Sequence, residues 1–295
     1  MLPVSCLYLR EQKNEGAGCM KSVGKFIKVL LVILLLYPLI FLGIGSLMGD
    51  AELMQHLQGV FGGESMGVSF TWFPQYPTFV SYVELLFDIP EFYVLFWNTS
   101  FYVLFIIAGQ LIIAVPAAWA LTNMSPVFRR VIVIVYIVVM VMPFQVRMLP
   151  EYLVLKDLGL LDSPAGIILP EVFSTLPVLI LYYSFANQPK VLRESARVDG
   201  ATEFQIFYKI DIPIAIPTIV TCVILALLEY WNMIEQPLLF IKNKQFWPLA
   251  LFSPKDTYGA GIAFAMSFLL AVFILIIFML LQKYFEEGLL TISKE

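Results

Sequence analysis

Six stretches of the chain are almost wholly apolar, at residues 29–48, 101–121, 131–148, 167–186, 212–231 and 261–281. Each runs for about 20 residues, the length a helix needs to cross the hydrocarbon core of a bilayer. The pattern therefore predicts six transmembrane helices. Pro38, Pro116, Pro143, Pro170, Pro177 and Pro217 interrupt these runs. In lipid, backbone groups freed by such breakers are satisfied by neighbouring helices, so the segments are expected to pack as one bundle. Two polar connections are long: 49–97, and the charged stretch that starts at Asn187.

Composition agrees with a chain built for lipid. Of 295 residues, 60% are hydrophobic and 14% charged, against about a quarter charged in an ordinary soluble domain. Thirteen of the eighteen Lys and Arg fall in the segments that share a side with the N-terminus; five fall opposite. The excess of positive charge marks the cytoplasmic side, so both termini are expected there. The outer connection 49–97 has no basic residue and carries Asp50, Glu52, Glu64, Glu84, Asp88 and Glu91. The expected organisation is a cytoplasmic tail at 1–25, a six-helix all-α membrane domain at 26–290 and a short cytoplasmic tail at 291–295. Met20 would itself make a plausible start, and the first apolar run is too long for a cleaved signal peptide.

Several chemistries are excluded. Cys6, Cys19 and Cys222 are far apart and His56 is the single histidine, which offers no Cys/His metal cluster and no disulfide framework. The net charge of −4 gives no reason to expect a nucleic-acid partner. "KNEGAGCMKS" superficially resembles a phosphate loop, but Met20 stands where that loop needs glycine before the lysine. Cys19 lacks the upstream apolar run of a lipoprotein.

The segment from Asn187 to Asp211 holds eight charges, four of each sign, and cannot lie within lipid. Val191, Leu192, Ser195 and Val198 share one helical face; Phe204, Phe207, Tyr208 and Asp211 resume the spacing after Gly200. The pattern predicts two short amphipathic helices joined at Asp199-Gly200, with Pro213 and Pro217 marking the turn into the next span. Such a pair either lies on the membrane surface or docks into a groove of another protein. Acidic Glu194, Asp199, Glu203 and Asp211 among the basic residues favour the protein partner.

These residues resemble the permeases of binding-protein-dependent ABC importers. Their loop signature is Glu-Ala-Ala, three residues, Gly, nine residues, Ile, one residue, Leu-Pro. Here Glu194-Ser195-Ala196, Gly200, Ile210 and Ile212-Pro213 keep every spacing. "RVDGATEFQIFYKIDIP" is most similar to the carbohydrate branch, the smaller maltose-transporter-type permease, and "FWNTSFYV", "LGLLDSPAGIILP" and "EYWNMIEQPLLFI" agree. The similarity spans about Lys25 to Gly288. Ser195 and Ile212 depart from the signature, and the ending "EEGLLTISKE" differs from the family's usual tail.

The resemblance implies a type I ABC importer permease fold in a bacterial or archaeal cell membrane. It implies that the segment 187–213 couples to a homodimeric cytoplasmic ATPase, which holds the ATP and Mg, so that this chain is no enzyme and carries no cofactor. Phe204, Phe207 and Tyr208 would anchor in the ATPase cleft. Glu194 would pair with a basic residue there or orient the loop; Asp199 and Gly200 would set the bend; Ala196 and Ala201 would permit close approach. The other implied partners are a second homologous permease, an extracytoplasmic solute-binding protein and a sugar or oligosaccharide. The aromatic, acidic outer connection ("SFTWFPQYPTF", "FDIPEFY") would dock the binding protein or pack as a helix along the membrane.

A sugar pathway calls for aromatic faces and amide or carboxylate hydrogen-bonders. The residues in or beside the spans that offer them are Asn98, Gln110, Trp119, Gln145, Glu171, Glu229, Tyr230, Trp231, Asn232 and Glu235. Interhelical hydrogen bonding for the glutamines and interfacial anchoring for Tyr230 and Trp231 are the plainer alternatives. Within the family, a polyol or glycerol phosphate is the rival solute, the latter calling for Arg or Lys near the spans, where Arg147 alone stands. A membrane-embedded enzyme lacks the necessary paired groups. A secondary transporter would show an internal repeat, which the halves of this chain do not.

Overall fold

A computed structural model of the chain describes residues 25, 28–61, 73–253 and 258–293. Residues 1–24 of the expected N-terminal tail, with Cys6 and Cys19, and residues 62–72 of the outer connection lie outside them. Among the described residues the chain is helical and has no strand. The helices are α1 (Lys28–Ser46), α2 (Asp50–Phe61), α3 (Val80–Val83), α4 (Pro90–Asn123), α5 (Pro126–Val141), α6 (Phe144–Asp157), α7 (Pro164–Val172) and α8 (Thr175–Ala186). They continue with α9 (Lys190–Val198), α10 (Glu203–Ile206), α11 (Ile212–Trp231), α12 (Glu235–Phe240) and α13 (Ala260–Ser293). Among the described residues, five helical stretches are long and apolar enough to cross a membrane, and six if α5 and α6 count as one bent span.

Helix ends depart from the apolar runs for local reasons. α4 starts eleven residues before its apolar run because Pro90 occupies its first turn, where a missing N–H costs nothing, with Glu91 beside it at the positive end of the helix dipole. Part of the expected outer connection is therefore the start of a span. The third expected span is not one rod: α5 and α6 meet at 97°. Pro143 causes the break, since its ring clashes with the preceding turn and forces Met142 into extended backbone. α7 and α8 are interrupted at Phe173 and Ser174 yet run on as a single 23-residue span. α13 continues to Ser293, through residues placed in the expected tail, because "QKYFEE" is made largely of good helix formers.

The chain divides into two compact units, one of residues up to Leu85 with Pro254–Ala271, the other of Leu86–Ser253 with residues from Val272 onward. In the first, Met48, Leu53, Leu57 and Ala260 form the core. Asp50 Oδ1 accepts the Gly261 N–H at 2.7 Å, and Ser46 and Tyr82 share a hydroxyl hydrogen bond of 2.6 Å. His56 is buried near Glu52 on the next turn of α2.

In the second unit α4 is the central element. Ala114, Ala118 and Leu121 pack against Val178, Leu181 and Phe185 of α8 and against Ala215 and Cys222 of α11. Small residues let membrane helices approach closely, replacing a hydrophobic driving force that lipid does not supply. Gly109 shows how closely: a Cβ there would stand 2.5 Å from Val172 Cγ2. Cys222 is a free thiol inside this core.

Candidate functional site

Two places in the second unit gather the chemistry: the corner between α9 and α10, and a cleft beside Glu171.

The corner is built from short-range signals. Gly200 has φ of +84°, the left-handed region that other residues resist. The Gly200 N–H donates to Arg197 O at 3.1 Å and the Ala201 N–H to Ala196 O at 2.9 Å. This paired closure is the Schellman pattern that ends helices at glycine. Thr202 then caps α10: its Oγ1 accepts the Gln205 N–H at 3.3 Å, while Gln205 Oε1 accepts the Thr202 N–H at 2.9 Å. Arg197 binds Glu203 across the corner at 2.6 and 3.1 Å. That hydrogen bonding, with the attraction of the carboxylate, holds the Arg197 guanidinium above its ordinary range.

The sequence-predicted residues of this corner divide into outward and inward groups. Glu194, Asp199 and Gly200 are exposed. α9 buries none of its residues, and Val191 and Val198 stand 72% and 88% exposed. Phe204 and Tyr208 are exposed and lie nearly parallel, ring centres 6.3 Å apart. Ser195 Oγ donates back to Val191 O at 2.8 Å, so the hydroxyl is absorbed within α9. Ala196 and Ala201 are half-buried. Phe207 points inward onto Trp119, ring centres 4.9 Å apart, and is a packing residue rather than an exposed anchor.

No turn occurs at Pro213. α10 passes through a π-turn at Phe207–Asp211 into α11, giving one helix from Glu203 to Trp231. In a regular helix the Pro213 ring would meet the carbonyl of Lys209; the wider turn at that place relieves the clash and lets the helix continue.

The cleft has a volume of about 300 Å³ and is lined by residues that include Arg147, Glu171, Ser174, Thr175, Glu229 and Tyr230. This is the lower end of the range for small-molecule sites. Glu171, buried, is its organising group. Its Oε2 accepts the Tyr230 hydroxyl at 3.1 Å and its Oε1 the Gln236 amide at 3.1 Å. Gln110 donates to both Glu171 O at 2.7 Å and Tyr230 Oη at 2.8 Å. Arg147 pairs with Glu151 one turn along α6, at 2.9 Å.

Of the sequence-predicted pathway residues, the structure brings Gln110, Glu171, Glu229 and Tyr230 together. The others stand elsewhere. Asn98 donates to the backbone of Gln245 and Trp247. Gln145 bonds Glu235 at 3.0 Å beside a separate apolar cleft. Trp231 is buried against Phe96 and Phe273, and Asn232 bonds back to Leu228 O. Trp119 lies under the α9–α10 corner, its Nε1 donating to Asp211 Oδ2 at 2.7 Å. Sequence reasoning missed Ser174, Thr175 and Gln236. The first two line the cleft because the α7–α8 interruption exposes them there, and the phenylalanine and serine at that break were the available signal.

Comparisons with known proteins identify the family. The arabinooligosaccharides transport system permease protein AraQ of Bacillus subtilis is 29% identical over 270 residues, 88% of this chain and 91% of that protein. The sulfoquinovosyl glycerol transport system permease protein SmoH of Agrobacterium fabrum is 30% identical over 210 residues, 70% of this chain and 69% of its own. The crystal structure of a bacterial ABC transporter involved in the import of the acidic polysaccharide alginate contains a chain of the same fold, with a TM-score of 0.77, 24% identity, and coverage of 92% of this chain and 98% of that one. Residues 110–290, which hold both the corner and the cleft, match the family described as binding-protein-dependent transport system inner membrane component. The chain belongs to that family and is an ABC transporter permease of the inner membrane.

Proposed function

We propose that this chain is one membrane subunit of an ATP-driven importer that takes a sugar or oligosaccharide from an extracytoplasmic binding protein to the cytoplasm. It works by alternating access with a second permease, and a separate homodimeric ATPase carries out the hydrolysis. The observation that carries the reading is the α9–α10 corner: a rigid bend with an outward face of Val191, Val198, Phe204 and Tyr208 that stands exposed among the described residues. An apolar helix pair with mixed charge around it suits a groove in a protein better than a lipid headgroup layer, which would select Lys and Arg.

The cleft supplies the solute face. Carboxylates at Glu171 and Glu229 accept sugar hydroxyls, Ser174 and Thr175 donate or accept, and Tyr230 offers an aromatic edge. ATP closing the ATPase dimer would draw the two corners of the permease pair together and open the cleft outward; hydrolysis would reset it. The sugar assignment draws on the arabinooligosaccharide relative. The sulfoquinovosyl glycerol relative supports a second reading, a solute with a glycerol portion.

The test is co-purification from membranes of the tagged chain, wild type against Gly200→Pro combined with Glu194→Lys, followed by solute-stimulated ATP hydrolysis. An ATPase and a second permease should accompany the wild type, and the ATPase should be lost from the variant. Equal retention of the ATPase by the variant would remove the corner from the coupling role. Stimulation by glycosyl glycerols but not by neutral oligosaccharides would select the second reading.

A further inference from the structure

Beneath the corner, one buried carboxylate joins four parts of the second unit. The Asp211 side chain is 1% exposed. Its Oδ1 accepts Arg193 Nε of α9 at 2.8 Å, and its Oδ2 accepts Trp119 Nε1 near the end of α4 at 2.7 Å. Its backbone carbonyl accepts the Gln188 amide, just past α8, at 2.9 Å. Arg193 Nη2 completes the ring by donating to Phe185 O and Gln188 Oε1, each at 3.2 Å. Phe207, in the same π-turn as Asp211, lies on the Trp119 ring.

α9 itself buries no residue, so apolar packing does not hold it to the rest of the unit. Arg193 is its buried hydrogen-bonded tie, the Arg197–Glu203 pair to α10 being solvent-exposed. A buried ion pair contributes little net stability against well-packed apolar residues, but a fully hydrogen-bonded one admits few geometries. The helices it joins to α9 are those that bear the cleft: α4 carries Gln110, and α11 carries Glu229 and Tyr230.

We infer that the Arg193–Asp211–Trp119 node is a positioning element that makes α9 move with α4 and α11 as one body, so that force on the outer face of α9 reaches the cleft. This rests on the importer reading above. Asp211 and Arg193 touch neither solute nor nucleotide; their effect is on how ATP hydrolysis is converted into transport.

The test uses the full complex in proteoliposomes, measuring solute moved per ATP hydrolysed, KM for ATP and recovery of the complex. Asp211→Asn keeps the shape and an acceptor for Trp119 but removes the ion pair. Trp119→Phe keeps the ring on Phe207 and removes one hydrogen bond. The expected result is wild-type recovery and ATP KM, with solute per ATP reduced about fivefold or more in Asp211→Asn, the low end of coupling between distant sites. Trp119→Phe should show a smaller fall in the same ratio, and Arg193→Lys an intermediate one. If Asp211→Asn lowers recovery, Trp119→Phe decides on the ratio alone. An unchanged ratio, or a loss of transport only in step with lost complex, would overturn the inference. A wild-type complex with no solute-stimulated hydrolysis would instead bring down the importer reading, and the node with it.

Discussion

The α9–α10 corner and the Glu171 cleft are made by opposite means. At the corner the bend itself is closed by contacts within a few residues: Arg197 to Gly200, Ala196 to Ala201, Thr202 to Gln205, Arg197 to Glu203. Around Glu171 in the cleft, partners are 59 to 120 residues apart, from Tyr230–Glu171 to Gln110–Tyr230. A locally built feature keeps its shape when its surroundings move, which suits a surface that must engage a separate protein. A site assembled from α4, α7, α11 and α12 changes shape whenever those helices shift, which suits a passage that must open and close. On the proposed importer reading, rigidity lies at the input and adjustability at the output.

The sharpest way to break this contrast is Glu171→Leu. It leaves the buried Tyr230 O–H without its acceptor, at a cost of about 1–3 kcal/mol, and removes a partner from the half-buried Gln236 amide. The thermal midpoint of the purified permease should fall clearly and transport should be lost, whereas Glu171→Gln should retain most of the stability. Equal midpoints in the two variants would mean that Glu171 does not organise the cleft. Next in size is Gly200→Val. A side chain would meet nothing within 4 Å, so the cost is conformational, about 1–2 kcal/mol for a residue held in the left-handed region. ATPase capture should drop about tenfold with the cleft unaffected, and Gly200→Asn should recover part of it.

Thr202→Ala removes the cap of α10 and should cost about 1 kcal/mol. It should be read as faster amide exchange at residues 203–205, with none at Gln110 or Tyr230; protection lost in both places would join the two regions into one folding unit. Smallest is Arg197→Ala. Its pair with Glu203 is solvent-exposed, so stability should not change measurably, and ATPase capture should become slightly more salt-sensitive.

The same contrast explains what could be read from the sequence. Gly200, the Thr202–Gln205 pair and the spacing of Phe204 and Tyr208 are local signals, and the bend they specify is legible in a few residues. The six apolar runs likewise announce the spans, because lipid imposes their length. What periodicity did not reveal was orientation about a helix axis. Phe207 and Tyr208 are neighbours of similar chemistry, yet one packs on Trp119 and the other faces outward. Likewise Trp119 and Gln110 belong to the same helix, nine residues apart, and end in different sites. The Pro143 break was visible as a residue, but Pro116, Pro170 and Pro217 lie within helices that continue through them, so residue type alone did not say which proline would bend the chain.

The unbroken helix from Glu203 to Trp231 makes a lever of that arrangement. Twenty-seven rises separate Glu203 at the corner from Tyr230 in the cleft, roughly 40 Å of rod at 1.5 Å per residue. A tilt of only about 5° at one end sweeps the other through about 3.5 Å, on the scale of a sugar hydroxyl gaining or losing its hydrogen bond. A hinge at Pro213 would have absorbed that motion; the π-turn, by carrying the helix past the proline, passes it on.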